Sequence, residues 1–289
     1  MNRTRVASAI VFAIALAASV FWFSRPQPPA SAPARSPARD RPQVPVPTRV
    51  TPATTPPPQV PGEPAQAPSP KPPAELGPPE ILDAKTADDQ PVQAFVWQSK
   101  LAGAPVAVFA ADLHGDGNNW LPVLQALKAQ REVSLVVLQK GPGPVAVVAD
   151  LAVRDATARQ RWAAIMALLH ARPPLQASTF VLVGAAEAAS SALATAANDP
   201  TIRGVALLSP QAAPGIGDVA EALESRPTLL IWAESDAQSI ETVQILQPLL
   251  HNRRQTSCKG DGQGLELLKE SRVRSDLVGW LYTALSVHR

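Results

Sequence analysis

Residues 81–289 are predicted to form an α/β domain with a doubly wound, mostly parallel sheet between two layers of helices. Short apolar runs recur along this stretch, and segments with a helical pattern separate them. Most of the runs are continuously apolar rather than alternating, which is typical of strands buried on both faces of a parallel sheet. Strand–helix alternation of this kind favours a doubly wound fold that binds ligands at the carboxyl ends of its strands.

Seven segments of this domain are predicted as strands, and the last is the weakest. They are 93–98, 105–111, 133–139, 179–184, 204–209, 228–233 and 255–259. Two further segments carry apolar side chains at the i, i+3, i+4, i+7 spacing of an amphipathic helix. These side chains are Trp120, Val123, Leu124 and Leu127 in the first segment, and Val278, Leu281, Tyr282 and Leu285 in the second.

Residues 1–23 are predicted to be an N-terminal membrane anchor. Arg3 and Arg5 precede 18 uncharged, mostly apolar residues, 6–23. As a helix these residues would span about 27 Å, close to the hydrocarbon thickness of a bilayer. Because arginines stay on the cytoplasmic side, we expect a single-pass protein of the bacterial inner membrane with its C-terminal domain in the periplasm. Cleavage as a signal peptide after Ala17 is the alternative, and it also exports the domain.

Residues 24–80 are predicted to be a disordered, proline-rich linker. They contain 20 of the 32 prolines, mixed with Ala, Ser, Thr and Gln. Such a segment has too few apolar side chains to offset the entropy of ordering, and proline favours extended polyproline II. The composition therefore indicates a spacer between the anchor and the domain at 81–289.

Charge and cysteine content exclude several classes of function for the domain. The whole chain has a net charge of +2, but residues 81–289 contain 18 basic and 20 acidic residues. This balance gives no indication of nucleic-acid binding. Cys258 is the only cysteine, so the exported domain has no internal disulfide and no thiolate metal cluster. We expect no cofactor and no metal.

Four segments, in order, resemble the α/β-hydrolase superfamily. The segment 113-LHGDGNNW-120 resembles its oxyanion-hole loop, and 182–210 resembles the turn, helix and strand around its nucleophile. Residues 226–239 resemble the strand and turn that supply the acid of the catalytic triad. The last segment, 259-KGDGQGLELL-268, resembles the loop that carries the catalytic histidine. The resemblance covers most of 85–289 and implies the α/β-hydrolase fold.

The resemblance assigns the triad to Ala186, Asp236 and Gln263, in the family's order of nucleophile, acid and base. Alanine has no hydroxyl to attack a substrate, and glutamine has no site that accepts a proton near neutral pH. Two members of the triad are therefore missing. Asp236 is interpreted as a relic or a turn-forming residue, with a retained binding group as the alternative.

The resemblance places the oxyanion loop and pocket at His114, Gly115, Gly117 and Glu187. Glu187 follows the nucleophile position, so we expect its carboxylate to oppose the negative charge that develops in an ester-hydrolysis transition state.

Other reactive side chains are interpreted as structural. Ser190 and Ser191 lie one turn into the predicted helix, and Cys258 is expected to be a buried core thiol. His170 and His251 are expected near helix ends, where the dipole favours a positive side chain.

The sequence favours a non-catalytic hydrolase-like domain that binds an envelope protein or a small acyl ligand outside the cytoplasm. An active serine hydrolase, such as an esterase, lipase or peptidase, with a displaced nucleophile is the first alternative. A structural envelope protein is the second, because an anchor, a proline-rich spacer and a terminal domain are also the layout of the TonB family of energy transducers.

Overall fold

The computed structural model describes residues 76–111, 117–139, 151–176 and 178–286. Their strands are β1 Glu80–Lys85, β2 Pro91–Trp97, β3 Val106–Ala110, β4 Ser134–Gln139, β5 Phe180–Ala185, β6 Ile202–Leu208, β7 Thr228–Ala233 and β8 Arg253–Cys258. Their helices are α1 Leu121–Gln130, α2 Leu151–Ala171, α3 Glu187–Asn198, α4 Ile216–Glu221, α5 Ala237–Leu246 and α6 Ser271–Ala284. Short 3₁₀ helices cover Gly117–Trp120 and Gly264–Lys269.

The strands form one sheet in the order β1-β2-β4-β3-β5-β6-β7-β8. Strands β3 to β8 pair in parallel, and β2 pairs antiparallel with both β1 and β4. The carboxyl ends of β3, β5, β6, β7 and β8 therefore lie along one edge of the sheet. The turns after β5, β7 and β8 contain Ala186, Asp236 and Gln263, respectively.

Helices cover both faces of the sheet, which gives two apolar cores. On one face α2, α3, α4 and α5 bury side chains such as Trp162, Leu193 and Leu246 against the sheet. On the other face α1 and α6 bury Leu124 and Leu277. Helix α3 is almost entirely buried, and its run of alanines and serines lets it lie close to the sheet beneath α2.

The predicted α/β class and its mostly parallel sheet are confirmed. All seven predicted strands are present, with ends shifted by at most two residues. Sequence reasoning missed β1, an edge strand whose only fully buried side chain is Leu82, so that it has no apolar run. Helix α2 ends at Ala171, as expected from the helix end predicted near His170, although sequence reasoning gave no bounds for this helix. Tyr282, predicted on the apolar face of the last helix, is 46% exposed.

The predicted anchor, residues 1–23, lies outside the described residues. So does the predicted linker up to residue 75, whereas Glu80, its last residue, already belongs to β1. Within the described ranges, no helix has the length and apolar character needed to cross a membrane.

Candidate functional site

The turn between β5 and α3 has the strained backbone expected of a nucleophile position. Ala186 has φ +53° and ψ −124°, a conformation that residues with a side chain rarely adopt. Holding such a residue there costs about 1–3 kcal/mol, and strain of this kind clusters at functional sites. The Ala186 N–H donates to the Leu208 carbonyl at 2.9 Å, which ties the turn to β6.

Gly184 allows this turn to form because α3 lies directly against the end of β5. A Cβ at Gly184 would lie 2.4 Å from the Ala188 carbonyl oxygen and 2.6 Å from the Ala189 Cα. Only glycine permits this approach of backbone to backbone. The strand–turn–helix frame is therefore present, and the residue at its apex is an alanine that is 6% exposed.

The loop after β8 passes over Ala186. Gly264 has φ +54°, and a Cβ at this position would lie 3.6 Å from the Ala186 Cβ. Gln263, the neighbour of Gly264 in the chain, is exposed and has an extended backbone. The structure thus brings the loop that carries the histidine position close to the nucleophile position. The residue at the histidine position, Gln263, has an amide side chain.

Asp236 caps helix α5. Its side chain is buried, Oδ1 accepts a hydrogen bond from the Ser239 N–H at 3.2 Å, and Oδ2 accepts one from the Ser239 hydroxyl at 2.5 Å. Both carboxylate oxygens are thereby engaged within one helix terminus, where a negative charge is favourable. This geometry fits a turn-forming role for Asp236, and orienting an imidazole would require these bonds to rearrange.

Glu187, the first residue of α3, forms a buried ion pair with Arg154 of α2. The Glu187 side chain is 6% exposed and the Arg154 side chain 24%. The expected opposition to an oxyanion assumed a free carboxylate, whereas Arg154 offsets this negative charge.

A small cavity adjoins Glu187. The Oε2 atom of Glu187 has no hydrogen-bond partner among the described residues. Ala188, Arg161, Trp162 and the ends of β3 and β4 complete the lining, and the cavity leaves about 10 Å³, close to the room for one water. Burial lowers the pKa of Arg161 below its usual value.

The oxyanion loop is described only in part. His114 and Gly115 lie outside the described residues. Gly117 is buried and begins the first 3₁₀ helix, where a Cβ would lie 2.5 Å from the amide nitrogen of Gln139. A side chain at position 117 would therefore require the Gln139 side chain at the end of β4 to move.

Ser209 is a candidate that sequence reasoning missed. It follows β6, has φ +46°, and lies beside Ala186 because β5 and β6 pair up to Ala185 and Leu208. It is 1% exposed, and its hydroxyl has no hydrogen-bond partner in the described part of the chain. The signal in the sequence was the Ser-Pro dipeptide that ends an apolar strand, a pattern typical of a turn.

The two helix serines have structural partners. The Ser190 hydroxyl donates to the Gln211 carbonyl, and the Ser191 hydroxyl donates to Asp155 Oδ1 at 3.0 Å.

Cys258 is buried on the edge strand β8. Burial and the nearby Glu270 carboxylate raise the pKa of this thiol. The thiol is therefore a poorer nucleophile near neutral pH than a solvated cysteine.

The histidines at 170 and 251 lie at the edge of the sheet where the parallel strands begin. This edge is opposite the turn between β5 and α3 at Ala186, which is called the elbow. His170 Nε2 lies 2.9 Å from Asp199 Oδ2, and its ring packs edge-on against Phe180. Burial acts to raise the pKa of Asp199, but hydrogen bonds from Thr201 and His170 outweigh it, so the pKa lies below its usual value. His251 is exposed beside Glu224. Within the described ranges, no three His, Cys, Asp or Glu side chains are grouped to hold a metal.

Solved structures that are similar in fold to this chain include α/β-hydrolases. The α/β-hydrolase GrgF from Penicillium sp. sh18 has a TM-score of 0.58 at 10% identity, covering 73% of this chain and 99% of its own. Dienelactone hydrolase from Anabaena variabilis has a TM-score of 0.53 at 16% identity, covering 72% and 99%. Est1E from Butyrivibrio proteoclasticus has a TM-score of 0.54 at 12% identity, covering 71% and 99%. No protein-family model and no curated protein matches the sequence. The predicted resemblance is confirmed at the level of fold: the chain has the α/β-hydrolase fold.

Proposed function

We propose that this α/β-hydrolase fold is non-catalytic and acts by binding, and that residues 6–23 hold it at the outer face of the cytoplasmic membrane. One observation carries the proposal: the strained turn that would present a nucleophile is intact, and its apex is Ala186. Attack on an acyl group by this fold needs a hydroxyl at that apex and an imidazole to take its proton.

Three features of the site support a non-catalytic role. Gln263 offers no base, Gly264 lies against Ala186, and the Asp236 carboxylate is engaged by Ser239. A covered apex favours a binding role at the surface over one in which a small acyl ligand enters a deep pocket at this point.

A second candidate function is hydrolysis by a displaced nucleophile, and Ser209 is the residue that favours it. Its hydroxyl has no hydrogen-bond partner among the described residues, and its backbone is strained, next to Ala186. It needs a base, and the two histidines in the described residues, His170 and His251, lie at the other edge of the sheet.

Labelling with a fluorophosphonate probe distinguishes the two functions. The full-length protein, purified in mild detergent, is incubated with the probe and analysed by peptide mass spectrometry. We expect no covalent adduct. An adduct on Ser209 would establish the second function, and an adduct on any other serine would equally overturn the non-catalytic proposal.

Repair of the site tests its geometry with the same probe. Ala186→Ser combined with Gln263→His should give slow labelling at position 186, whereas either change alone should give none, since the hydroxyl and its base act as a unit. Asp236 would exchange its bonds to Ser239 for one to the new imidazole. A folded double variant that is not labelled would show that the loop over Ala186 does not bring position 263 within reach.

A further inference from the structure

Strand β8 is an edge of the sheet with unused backbone hydrogen-bonding groups. Among the described strands only β7 pairs with it. The Thr228 N–H donates to the Asn252 carbonyl, and the Glu234 N–H donates to the Cys258 carbonyl. In a parallel sheet, the N–H and C=O groups of one residue point to the same neighbouring strand, and those of the next residue point to the opposite side. Residues 252, 254, 256 and 258 thus face β7. The N–H and C=O groups of Arg253, Gln255 and Ser257 therefore point away from β7.

A groove runs beside this edge. Its volume is about 540 Å³, within the range of clefts that hold ligands. Trp232, Cys258, Lys259, Glu270 and Arg272 line it together with residues 255–257. The groove thus lies alongside the free backbone groups of β8 and is large enough for an extended segment of another chain.

The side chains that face solvent along this edge are mainly cationic. Arg253, Arg254, Lys259 and Arg272 are all exposed. In the described part of the chain, Arg254 and Lys259 form no ion pair, whereas Arg272 lies 3.9 Å from Asp276.

The groove also contains two carboxylates, Glu234 and Glu270. Glu234 accepts a hydrogen bond from the Ser257 hydroxyl at 3.0 Å. Glu270 packs so closely on Gly260 that a Cβ there would lie 2.4 Å from its Oε1. Both carboxylates keep their negative charge, and Arg272 is paired with Asp276. The three exposed cations at 253, 254 and 259 therefore leave one excess positive charge along the edge, and a complementary segment carries acidic side chains.

We propose that β8 binds an extended, acidic segment of a partner protein, which adds to the sheet as a further strand. Backbone hydrogen bonds to residues 253, 255 and 257 supply affinity, and the cations select acidic side chains. A second copy of this chain fits less well, because edge-to-edge pairing would crowd the arginines at 253 and 254 of both copies into one ladder. The surface is separate from the elbow, so it goes beyond the function proposed above and stands whether or not the elbow catalyses.

The test uses a fluorescent eight-residue peptide that alternates valine with glutamate, and one that alternates valine with lysine. Binding to the full-length protein in mild detergent is followed by fluorescence anisotropy. We expect the glutamate peptide to bind, to weaken as salt rises, and to slow alkylation of Cys258 in the groove. The lysine peptide should not bind. Absence of binding by the glutamate peptide, or equal binding of the two peptides, would overturn the proposal.

Two substitutions at Gln255 separate strand addition from simple charge attraction. Gln255→Pro removes an outward N–H and leaves the ladder to β7 unchanged, so it should weaken binding by about tenfold or more. Gln255→Ala keeps the N–H and loses only the side-chain bond to Gln247, so it should bind like the natural protein. Equal binding by these two variants would refute strand addition.

A third variant decides the matter if Gln255→Pro fails to fold. Arg254 turns its backbone toward β7 and its exposed side chain to solvent, so Arg254→Glu changes charge alone. This variant should bind the glutamate peptide less tightly and should bind the lysine peptide. An unchanged preference would overturn the choice of an acidic partner. Light scattering adds one further outcome: a dimer that the glutamate peptide does not dissociate would assign the edge to a second copy instead.

Discussion

Arg154→Met isolates the ion pair that holds the elbow to helix α2. The substitution keeps a long apolar stem and removes the guanidinium. It leaves the Glu187 carboxylate, which is 6% exposed, without its cation and with both oxygens short of partners. A buried charge that loses its partner is more costly than an exposed one, so we expect a marked loss of stability.

The magnitude follows from the burial of the two partners. Removing one member of a buried pair costs about 3–5 kcal/mol. Because water reaches Arg154, which is 24% exposed, we expect the lower end, about 3 kcal/mol. For a domain of this size each kcal/mol lowers Tm by about 2–4 °C, so the shift is about 6–12 °C.

Substitution of the other partner, Glu187→Gln, should lower the free energy of unfolding by less. It leaves a cation that solvent can hydrate, and we expect about 1 kcal/mol. The double variant should be more stable than the sum of the two losses predicts, because its second change removes no remaining pair.

Urea unfolding followed by tryptophan fluorescence measures these differences on the full-length protein. Lys85→Met is a matched control, since Lys85 pairs with Asp89 at 3.3 Å on an exposed turn, where ion pairs contribute little. If Arg154→Met cost no more than Lys85→Met, the Glu187 carboxylate would not be a buried charge that depends on Arg154.

Three further predictions concern single residues. Cys258 should be alkylated slowly at pH 7.5 in the folded protein, and Glu270→Gln should speed the reaction, because this carboxylate helps raise the pKa of the thiol. The pKa of Asp199 is lowered in the folded protein, so this carboxylate stabilises the fold fully above the unfolded-state pKa of about 3.9, and the stabilisation is lost as the pH falls further. Asp199→Asn should therefore lower the free energy of unfolding more at pH 7 than at pH 3, as measured by urea titration. Gly184→Ala should lower stability by more than about 1–3 kcal/mol through backbone overlap, whereas Gly279→Ala, in helix α6 with open space around it, should raise Tm.

The fold could be predicted from the sequence where buried strands and helices show a regular pattern of apolar residues. The central strands are apolar on both faces, and their runs identified them within two residues. The edge strands gave weaker signals, because each has a side that no other strand covers. Thus β1 was missed, and β8 was predicted from 255–259 with its two arginines left out. Polar side chains at an edge reduce the apolar signal on which strand prediction depends.

The candidate site was predictable as a set of positions but not as a set of contacts. The spacing along the chain predicts where Ala186, Asp236 and Gln263 fall relative to the strands. It contains no information on the partner of Glu187, because Arg154 is 33 residues away in the sequence and belongs to a helix whose start was not predicted. The burial of Ser209 was equally hidden, as was the lack of a partner for its hydroxyl among the described residues, because both depend on tertiary packing.

The elbow can remain strained without a nucleophile because packing alone determines its shape. Helix α3 lies so close to β5 that its carbonyl at Ala188 nearly touches Gly184, and the Ala186 N–H is held by the Leu208 carbonyl. Relaxing the turn would separate a mostly buried helix from the sheet, and exposing its apolar area would cost more than the strain energy of about 1–3 kcal/mol that is released. A strained turn in this fold is therefore evidence of how the helix packs. Catalysis has to be judged from the side chain at its apex, and in this chain that side chain is a methyl group.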